Sequence, residues 1–409
     1  MNRYKRKHTK RHVISMAVLI VLIGLYVATD LSLPIKALSP YQTNSTLDIT
    51  TPSSNLPWPH YGEGAIGLSN GSVIQTHGAL TPRPIASVAK LITAIAVLQK
   101  YPLKLNQQGP MITIDAEDYS IYTKYIAEQG SVVPVYTGEA LSEYQMLEAM
   151  LVPSGNNIAD ALARWAFGSL SAYETYANNY VKQLGMESTH IGSDASGFSP
   201  DTTSTAKDLI LLGSRVMSNP VLAQIVGMKS VTVPNVGVMN NYDNILGQNG
   251  LVGIKTGNSN QAGGVFLGAA DTTVNGKQVT IITALMGAPD LNQVLIDTGP
   301  LVIATENDFA QTILVNKGEV LGEFKEPWGG IVQVVANNNL VVYVLQGQTA
   351  KATLNLASLK IPTAIHSVIG AITSDSNKFN APQTVSVITV ESTSKPTWLW
   401  RLTHPESIF

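Results

Sequence analysis

Ile85-Ala-Ser-Val-Ala-Lys-Leu-Ile-Thr-Ala-Ile-Ala-Val-Leu-Gln-Lys100 decides the reading of this chain, because it sets two polar groups, Ser87 and Lys90, at the head of an otherwise apolar run. Pro84 stands just ahead, where a missing N–H costs a helix little. Beyond Lys90 the segment is apolar on nearly every side, as expected of a helix buried in a sizeable domain. Three residues apart on a helix, the two side chains share a face and can touch. A lysine carried into a core gives up solvation, which lowers its pKa and leaves an amine able to take a proton from a neighbouring hydroxyl. The spacing alone carries little information, since it recurs at Ser204 to Lys207, where Ser204 reads as a helix N-cap, and at Ser392 to Lys395 in a polar C-terminal stretch.

Outward from that helix, 409 residues allow two or three domains and 44% hydrophobic residues are ample for their cores. A net charge of -2 argues against nucleic acid as a partner. Charge is unevenly placed: Arg3, Lys5, Arg6, Lys7, Lys10 and Arg11 crowd the N-terminus, and residues 13–29 behind them carry none. Basic residues stay on the cytoplasmic side, so residues 1–12 read as cytoplasmic and the rest of the chain as outside. The apolar run exceeds the about 7 to 15 residues of a signal-peptide core and lies near the lower end of the about 17 to 25 of a spanning helix. Residues 13–31 therefore read as a single-pass signal-anchor, a cleaved signal peptide and a secreted chain being the alternative. The absence of cysteine rules out a disulfide framework. Residues 32–60, rich in Ser, Thr, Pro and Asn, read as an extracytoplasmic linker.

Gly64–Leu68 and Ser72–His77 flank an Asn-Gly turn and predict a strand pair ahead of the serine helix. Ser142 predicts the cap of a helix that ends before Pro153. Ser154-Gly155-Asn156 then interrupts two helical stretches with a turn composition, one way of presenting a hydroxyl and an amide to a cleft. A helix over Ala172–Gly185 closes on glycine, and Asp194-Ala-Ser-Gly-Phe-Ser-Pro200 reads as a loop. Leu251-Val-Gly-Ile leads into Lys255-Thr256-Gly257, and Gly264–Ala270 and Val279–Gly287, joined through Asn275-Gly276, predict adjacent antiparallel strands. Lys255 would begin a stretch beside the cleft, with Gly257 admitting close approach to the backbone.

Ser87-x-x-Lys90, Ser154-Gly155-Asn156 and Lys255-Thr256-Gly257, in this order, resemble the active-site triplet of penicillin-recognising serine enzymes. Within that group the chain most resembles the serine-type D-alanyl-D-alanine carboxypeptidases, the low-molecular-weight penicillin-binding proteins. Gly-Asn after Ser154, Asp194-Ala-Ser-Gly-Phe-Ser-Pro ahead of Ser204-Thr-Ala-Lys-Asp-Leu, and Lys255-Thr-Gly-Asn-Ser-Asn-Gln-Ala-Gly-Gly all fit that pattern. The resemblance implies an α/β (α+β) fold: a β-lactamase/transpeptidase-like domain over residues 61–315, with an antiparallel sheet, helices on both faces and a helical lobe. A small all-β domain over 316–409 would follow, for which Ile331–Val335, Leu340–Leu345, Ala352–Leu356 and Thr384–Val390 supply β-rich runs. The family implies a stalk role for that domain, and Trp398-Leu-Trp-Arg401 has the aromatic character of a membrane-interface segment.

The chemistry follows from the residues. Ser87 would be the nucleophile and Lys90 its base, with Lys255 helping to keep Lys90 neutral by like-charge repulsion. Ser154 would pass the proton to the leaving amine. Asn156 would hold the substrate amide, and Lys255, Thr256 and Gly257 a terminal carboxylate. The resemblance further implies an oxyanion hole from the backbone N–H groups of Ser87 and Asn258. It also implies peptidoglycan stem peptides ending in D-Ala-D-Ala as substrate, β-lactams as inhibitors, a bacterial cell membrane location and no cofactor or metal. Two positions depart from the pattern: Ala288-Pro-Asp-Leu-Asn-Gln lacks the arginine several relatives carry there, and Asn258 stands where some have histidine. The competing readings are a class A-like β-lactamase, for which Glu174 would have to activate water, and a cell-wall-binding protein that keeps the fold without catalysis.

Overall fold

The computed structural model describes residues 2–43, 45–51, 55–376 and 381–405. The chain divides into two units, Ser53–Phe309 and a second built from Met1–Pro52 with Ala310–Phe409.

Helix α1 covers Asn2–Ser32, and short strands β1 (Gln42–Thr43) and β2 (Thr46–Thr50) follow. The hairpin β3 (Glu63–Leu68) and β4 (Val73–His77) leads through β5 (Arg83–Pro84) into a 3-10 turn at Ala86–Ala89 and then α2 (Lys90–Lys100). A helical lobe comes next, with β6 (Met111–Thr113), α3 (Ala116–Ala127), β7 (Ala140–Ser142), α4 (Glu143–Leu151), α5 (Asn156–Phe167) and α6 (Leu170–Gln183). β8 (Thr203–Ser204), α7 (Ala206–Met217), α8 (Pro220–Val226) and the pair β9 (Ser230–Val233) and β10 (Gly237–Asn240) return the chain to the sheet. There β11 (Leu251–Ser259), β12 (Gly263–Val274) and β13 (Lys277–Ala288) precede α9 (Leu291–Asn307). The last stretch holds β14 (Phe309–Val315), β15 (Val320–Lys325), β16 (Ile331–Ala336), β17 (Leu340–Leu345), β18 (Thr349–Leu356), β19 (Val368–Ser374), β20 (Thr384–Thr389) and α10 (Trp398–Thr403).

The first unit is organised by a five-stranded antiparallel sheet in the order β11-β12-β13-β3-β4. Alternate residues of its strands serve different cores. Val265, Leu267, Ile282 and Ala284 join the core that contains Leu209, Ile210 and Leu212 of α7, while Phe266, Ile281 and Leu285 join Val294, Leu295 and Leu301 of α9. Both faces are therefore covered by helices, which is why these strands read as near-continuous apolar runs. Asn275 and Gly276 take positive φ at the β12–β13 hairpin, as a two-residue turn between right-twisted strands demands. Ser142 caps α4 through a reciprocal box with Gln145. The N-cap expected at Ser204 lies one residue on: Thr205 accepts the Asp208 N–H, and Ser204 is still in β8.

In the other unit β15, β16, β20, β19 and β18 form a sheet whose edges are β1 and β2. The linker expected across 32–60 is in part a structural segment, since β1 and β2 pair with β15 and β18 and Leu38 bridges Leu359. The alternation in Thr46-Leu-Asp-Ile-Thr50, with Leu47 and Ile49 packed against the sheet's core, is the physical reason. In α1, Arg11–Ser32 is an apolar helix of 22 residues with a mean hydropathy of 2.3, long enough to cross a membrane.

Candidate active site

The apolar stretch after Lys90 does form a helix buried almost throughout, but Ser87 precedes it. Ala86 takes a positive φ of 46°, which no α-helix accommodates, so the chain tightens into the 3-10 turn and α2 starts at Lys90. In a 3-10 turn, positions three apart eclipse. Lys90 Nζ accordingly lies 2.7 Å from Ser87 Oγ. The same amine is 2.7 Å from Asn156 Oδ1 and 3.1 Å from the Ser196 carbonyl oxygen.

Two glycines let the walls close on this turn. A Cβ on Gly257 of β11 would fall 2.7 Å from the Ile85 carbonyl oxygen, and one on Gly197 would fall 2.1 Å from that of Ala86. The freedom expected at Gly257 is thus used by the serine turn, which packs against edge strand β11. Gly197 belongs to the loop 194–199, which is stitched to α2 at Lys90 and again at Thr93, whose Oγ1 donates to the Ala195 carbonyl at 2.6 Å. Ser154, the bend between α4 and α5, also has positive φ, 62°, and Asn156 begins α5. Two non-glycine residues in that region beside one cleft are a local strain held by the surrounding fold.

Lys90 is fully buried, and its pKa lies well below the ordinary lysine value. Desolvation is the main cause and the charge of Lys255 adds to it, while Asp194 and Asp160 oppose. Burial likewise brings Lys255 down to about 7 against the pull of Asp243. A neutral Lys90 amine has two N–H groups for the Asn156 and Ser196 oxygens and a lone pair left for the Ser87 hydroxyl. The carboxylates behind it are anchored. Asp194 accepts from Ser196 N, Ser196 Oγ, Phe198 N and Ser199 N. Asp160 accepts from Ala195 N and Tyr125 Oη, each at 2.8 Å, and burial, with Asp194 adding, raises its pKa to about 6.

Ser87, Ser154, Asn156, Thr256 and Asn258 line one cleft of about 690 Å³. Lys90, Lys255 and Gly257 sit behind its surface, with Lys255 Nζ 3.4 Å from Thr256 Oγ1. Glu174 is on α6 and does not line this cleft. At Gly287, ahead of the arginine-free stretch 288–293, the guanidinium of Arg83 packs in and its charge faces Glu63. The site assignment from sequence left out Thr93, Asp160, Asp194, Ser196 and Tyr125. Asp194-Ala-Ser196 carried a usable signal, an Asx turn in a glycine-containing loop. Tyr119, Tyr122 and Tyr125, at spacings of three, could line a groove or pack against the domain, and Tyr125 does line the cleft, but nothing local pointed to Asp160.

The arrangement of a buried amine on a cleft-lining hydroxyl, with further hydroxyl and amide groups converging, is suited to covalent catalysis at an acyl group. Among curated proteins, residues of this chain align with a D-alanyl-D-alanine carboxypeptidase of Mycobacterium tuberculosis, DacB2, at 30% identity over 211 residues, 50% of this chain and 67% of that protein. DacA of Escherichia coli, also a D-alanyl-D-alanine carboxypeptidase, matches at 27% over 231 residues, 54% of each chain, so the match spans about half of that relative. Among solved structures, penicillin binding protein 6B of Escherichia coli superposes with a TM-score of 0.59 over 81% of this chain and 96% of its own, at 20% identity. A D-alanyl-D-alanine carboxypeptidase structure from Mycobacterium tuberculosis gives 0.54 over 63% and 95%, at 25% identity. The fold is thus that of this penicillin-binding group, with a β-rich C-terminal domain. Residues 65–290, which hold all three motifs and the sheet that joins them, match the D-alanyl-D-alanine carboxypeptidase model Peptidase_S11, and the chain belongs to that family.

Proposed function

We propose that this chain is a serine-type D-Ala-D-Ala carboxypeptidase that removes the terminal D-alanine of peptidoglycan stem peptides through an acyl-enzyme on Ser87. The single observation that carries this reading is the fully buried amine of Lys90, shifted toward its neutral form, 2.7 Å from the Ser87 hydroxyl. Lys90 takes the Ser87 proton as Oγ attacks the carbonyl of the penultimate D-alanine. The oxyanion is met by the backbone N–H groups of Ser87 and Asn258, each such donor being worth about 2.7 to 4 kcal/mol. Ser154 delivers the proton to the departing amine, Asn156 holds the substrate amide, and Lys255 with Thr256 meets the terminal carboxylate on β11, which Gly257 lets pack closely against the serine turn. Water then releases the shortened peptide by the reverse relay. β-Lactams acylate the same hydroxyl. An ampicillin-bound structure of penicillin-binding protein D2 of Listeria monocytogenes, 24% identical with a TM-score of 0.50, is among the chain's neighbours.

Helix α1 serves as the single-pass anchor, with the basic N-terminus in the cytoplasm and the catalytic unit outside the cell membrane. The test is release of D-alanine from a peptide ending in D-Ala-D-Ala, with Ser87→Ala as control. No release from a folded protein whose Ser87 is also not labelled by fluorescent penicillin favours a binding role. Rapid penicillin turnover that Glu174→Gln abolishes would favour the β-lactamase.

A further inference from the structure

The outer end of α1 is held by a residue from the far end of the chain. The last turn of this helix contains no basic residue of its own, and a helix C-terminus leaves its final carbonyls without partners. Arg401 of α10 supplies them: Nη1 donates to the Leu31 carbonyl at 3.3 Å and Nη2 to those of Asp30 and of Leu33, the last at 2.8 Å. Arg401 Nε is also 4.0 Å from Asp30 Oδ2, and both side chains are buried. The contact is reciprocal, since Tyr26 Oη of α1 donates to the Leu402 carbonyl of α10 at 2.7 Å. Further packing holds α10 in shape, with Trp400 edge-on to Trp328 and stacked on His404. The free side of the six-residue helix carries Trp398 and Leu399, 64% and 59% exposed.

Resting on the reading of α1 as an anchor, we infer that α10 is a clasp on the outer end of a retained membrane helix, and that Trp398 and Leu399 enter the lipid interface beside it. Three observations converge. Asp30 follows directly on the apolar run, where a carboxylate at the hydrocarbon boundary needs a cationic partner, and Arg401 is that partner. A guanidinium buried on the carbonyls of residues 30, 31 and 33 has those partners only in a chain from which the helix has not been cleaved. Finally, the exit of α1 fixes where the bilayer ends, so a helix clasped to that exit lies at interfacial depth, the layer tryptophan favours. Leu31 and Leu33, 40% and 37% exposed, continue the apolar surface at the same level.

The experiment uses the full chain, expressed in a bacterial host, purified from its membranes and reconstituted in phosphatidylethanolamine/phosphatidylglycerol vesicles. Intact mass is expected to show the complete N-terminal helix, whereas a mature N-terminus beyond Leu33 overturns retention. Arg401→Gln combined with Tyr26→Phe is expected to speed amide exchange in α10 by about tenfold or more, the weight of one charge-assisted hydrogen bond. Unchanged exchange in an uncleaved protein overturns the clasp. Brominated lipid is expected to quench tryptophan emission in the wild type more than in Trp398→Phe, and equal quenching overturns the lipid contact. D-Alanine release is measured on every sample, so a failed catalytic reading appears as absent activity in the wild type and leaves these readouts standing.

Discussion

Replacing Lys255 by methionine should make the protein more stable and the enzyme worse. The lysine is 2% exposed and its pKa falls from 10.5 to about 7, chiefly through desolvation, so the folded state holds its proton less tightly than the unfolded chain does. A shift of that size at about 1.4 kcal/mol per unit amounts to roughly 5 kcal/mol of lost stability at and below neutral pH. The sign follows from the depressed pKa: between about pH 7 and 10.5 the unfolded state binds more protons, so stability climbs with pH, and the penalty vanishes above that window. Methionine is similar in length and carries no charge to bury. It strands Asp243, already raised to about 6 by burial, whose Oδ2 has no hydrogen-bond partner among the described residues. Further protonation of that carboxyl should cost on the order of 1 kcal/mol at pH 7, leaving a net gain of about 3 to 4 kcal/mol. In a unit of this size that is a rise in Tm of about 8 to 12 °C. Thermal unfolding of the detergent-solubilised chain, followed by near-UV circular dichroism at pH 7 and pH 10, measures it. Acylation of Ser87 by fluorescent penicillin should be slower in the same preparation. A variant no more stable than wild type at pH 7, or equally advantaged at pH 10, would refute the claim that Lys255 is held in the fold at the expense of its charge.

Asn156→Leu removes the oxygen 2.7 Å from Lys90 Nζ and should slow Ser87 acylation by about 10- to 100-fold, the weight of a hydrogen bond to a charged or developing-charge group, as stopped-flow labelling would read. Asp194→Asn deletes a charge that raises the Lys90 pKa, so the acid limb of the acylation pH profile should move to lower pH. Gly197→Ala forces a side chain into a positive φ of 72°, costing roughly 1 to 2 kcal/mol before any clash, and its Cβ meets the Ala86 carbonyl. Acylation should therefore fall across the whole pH range, with the acid limb in place.

What was legible in the sequence was whatever a short stretch specifies by itself. The apolar run after Lys90, the Ser142 box and the Asn275-Gly276 turn each carry their own structure, and β12 and β13 follow from that turn. The 3-10 turn was not legible, because the positive φ at Ala86 is imposed by β11 and the loop 194–199 closing on it from distant parts of the chain. The same holds for Asp160 and Tyr125: on their own helices they read as ordinary interior residues, and only the loop between them and Lys90 gives them a place in the site. At the N-terminus the error ran the other way. Thr46-Leu-Asp-Ile-Thr50 has a strand's alternation, but its polar surroundings masked it, and the partner β18 lies some three hundred residues on.

The loop 194–199 bears on the two requirements of a lysine base at once, and they pull in different directions. A general base must be neutral at working pH yet basic enough to hold the proton it takes. Burial and Lys255 secure the first and, acting alone, would go on lowering the pKa until the amine became a poor acceptor; Asp194 and Asp160 set the limit. Ser196, two residues from Asp194, places a carbonyl 3.1 Å from the same nitrogen and so directs one N–H away from Ser87. Basicity and orientation are thus separable properties of one loop. Asp194→Asn should move the switch to lower pH and, by weakening the base, lower the plateau modestly with it, whereas Gly197→Ala should lower the plateau while sparing the switch. If both variants moved the same quantity by the same amount, the carboxylate would be acting only as a brace for the loop, and the electrostatic role given to it here would be wrong.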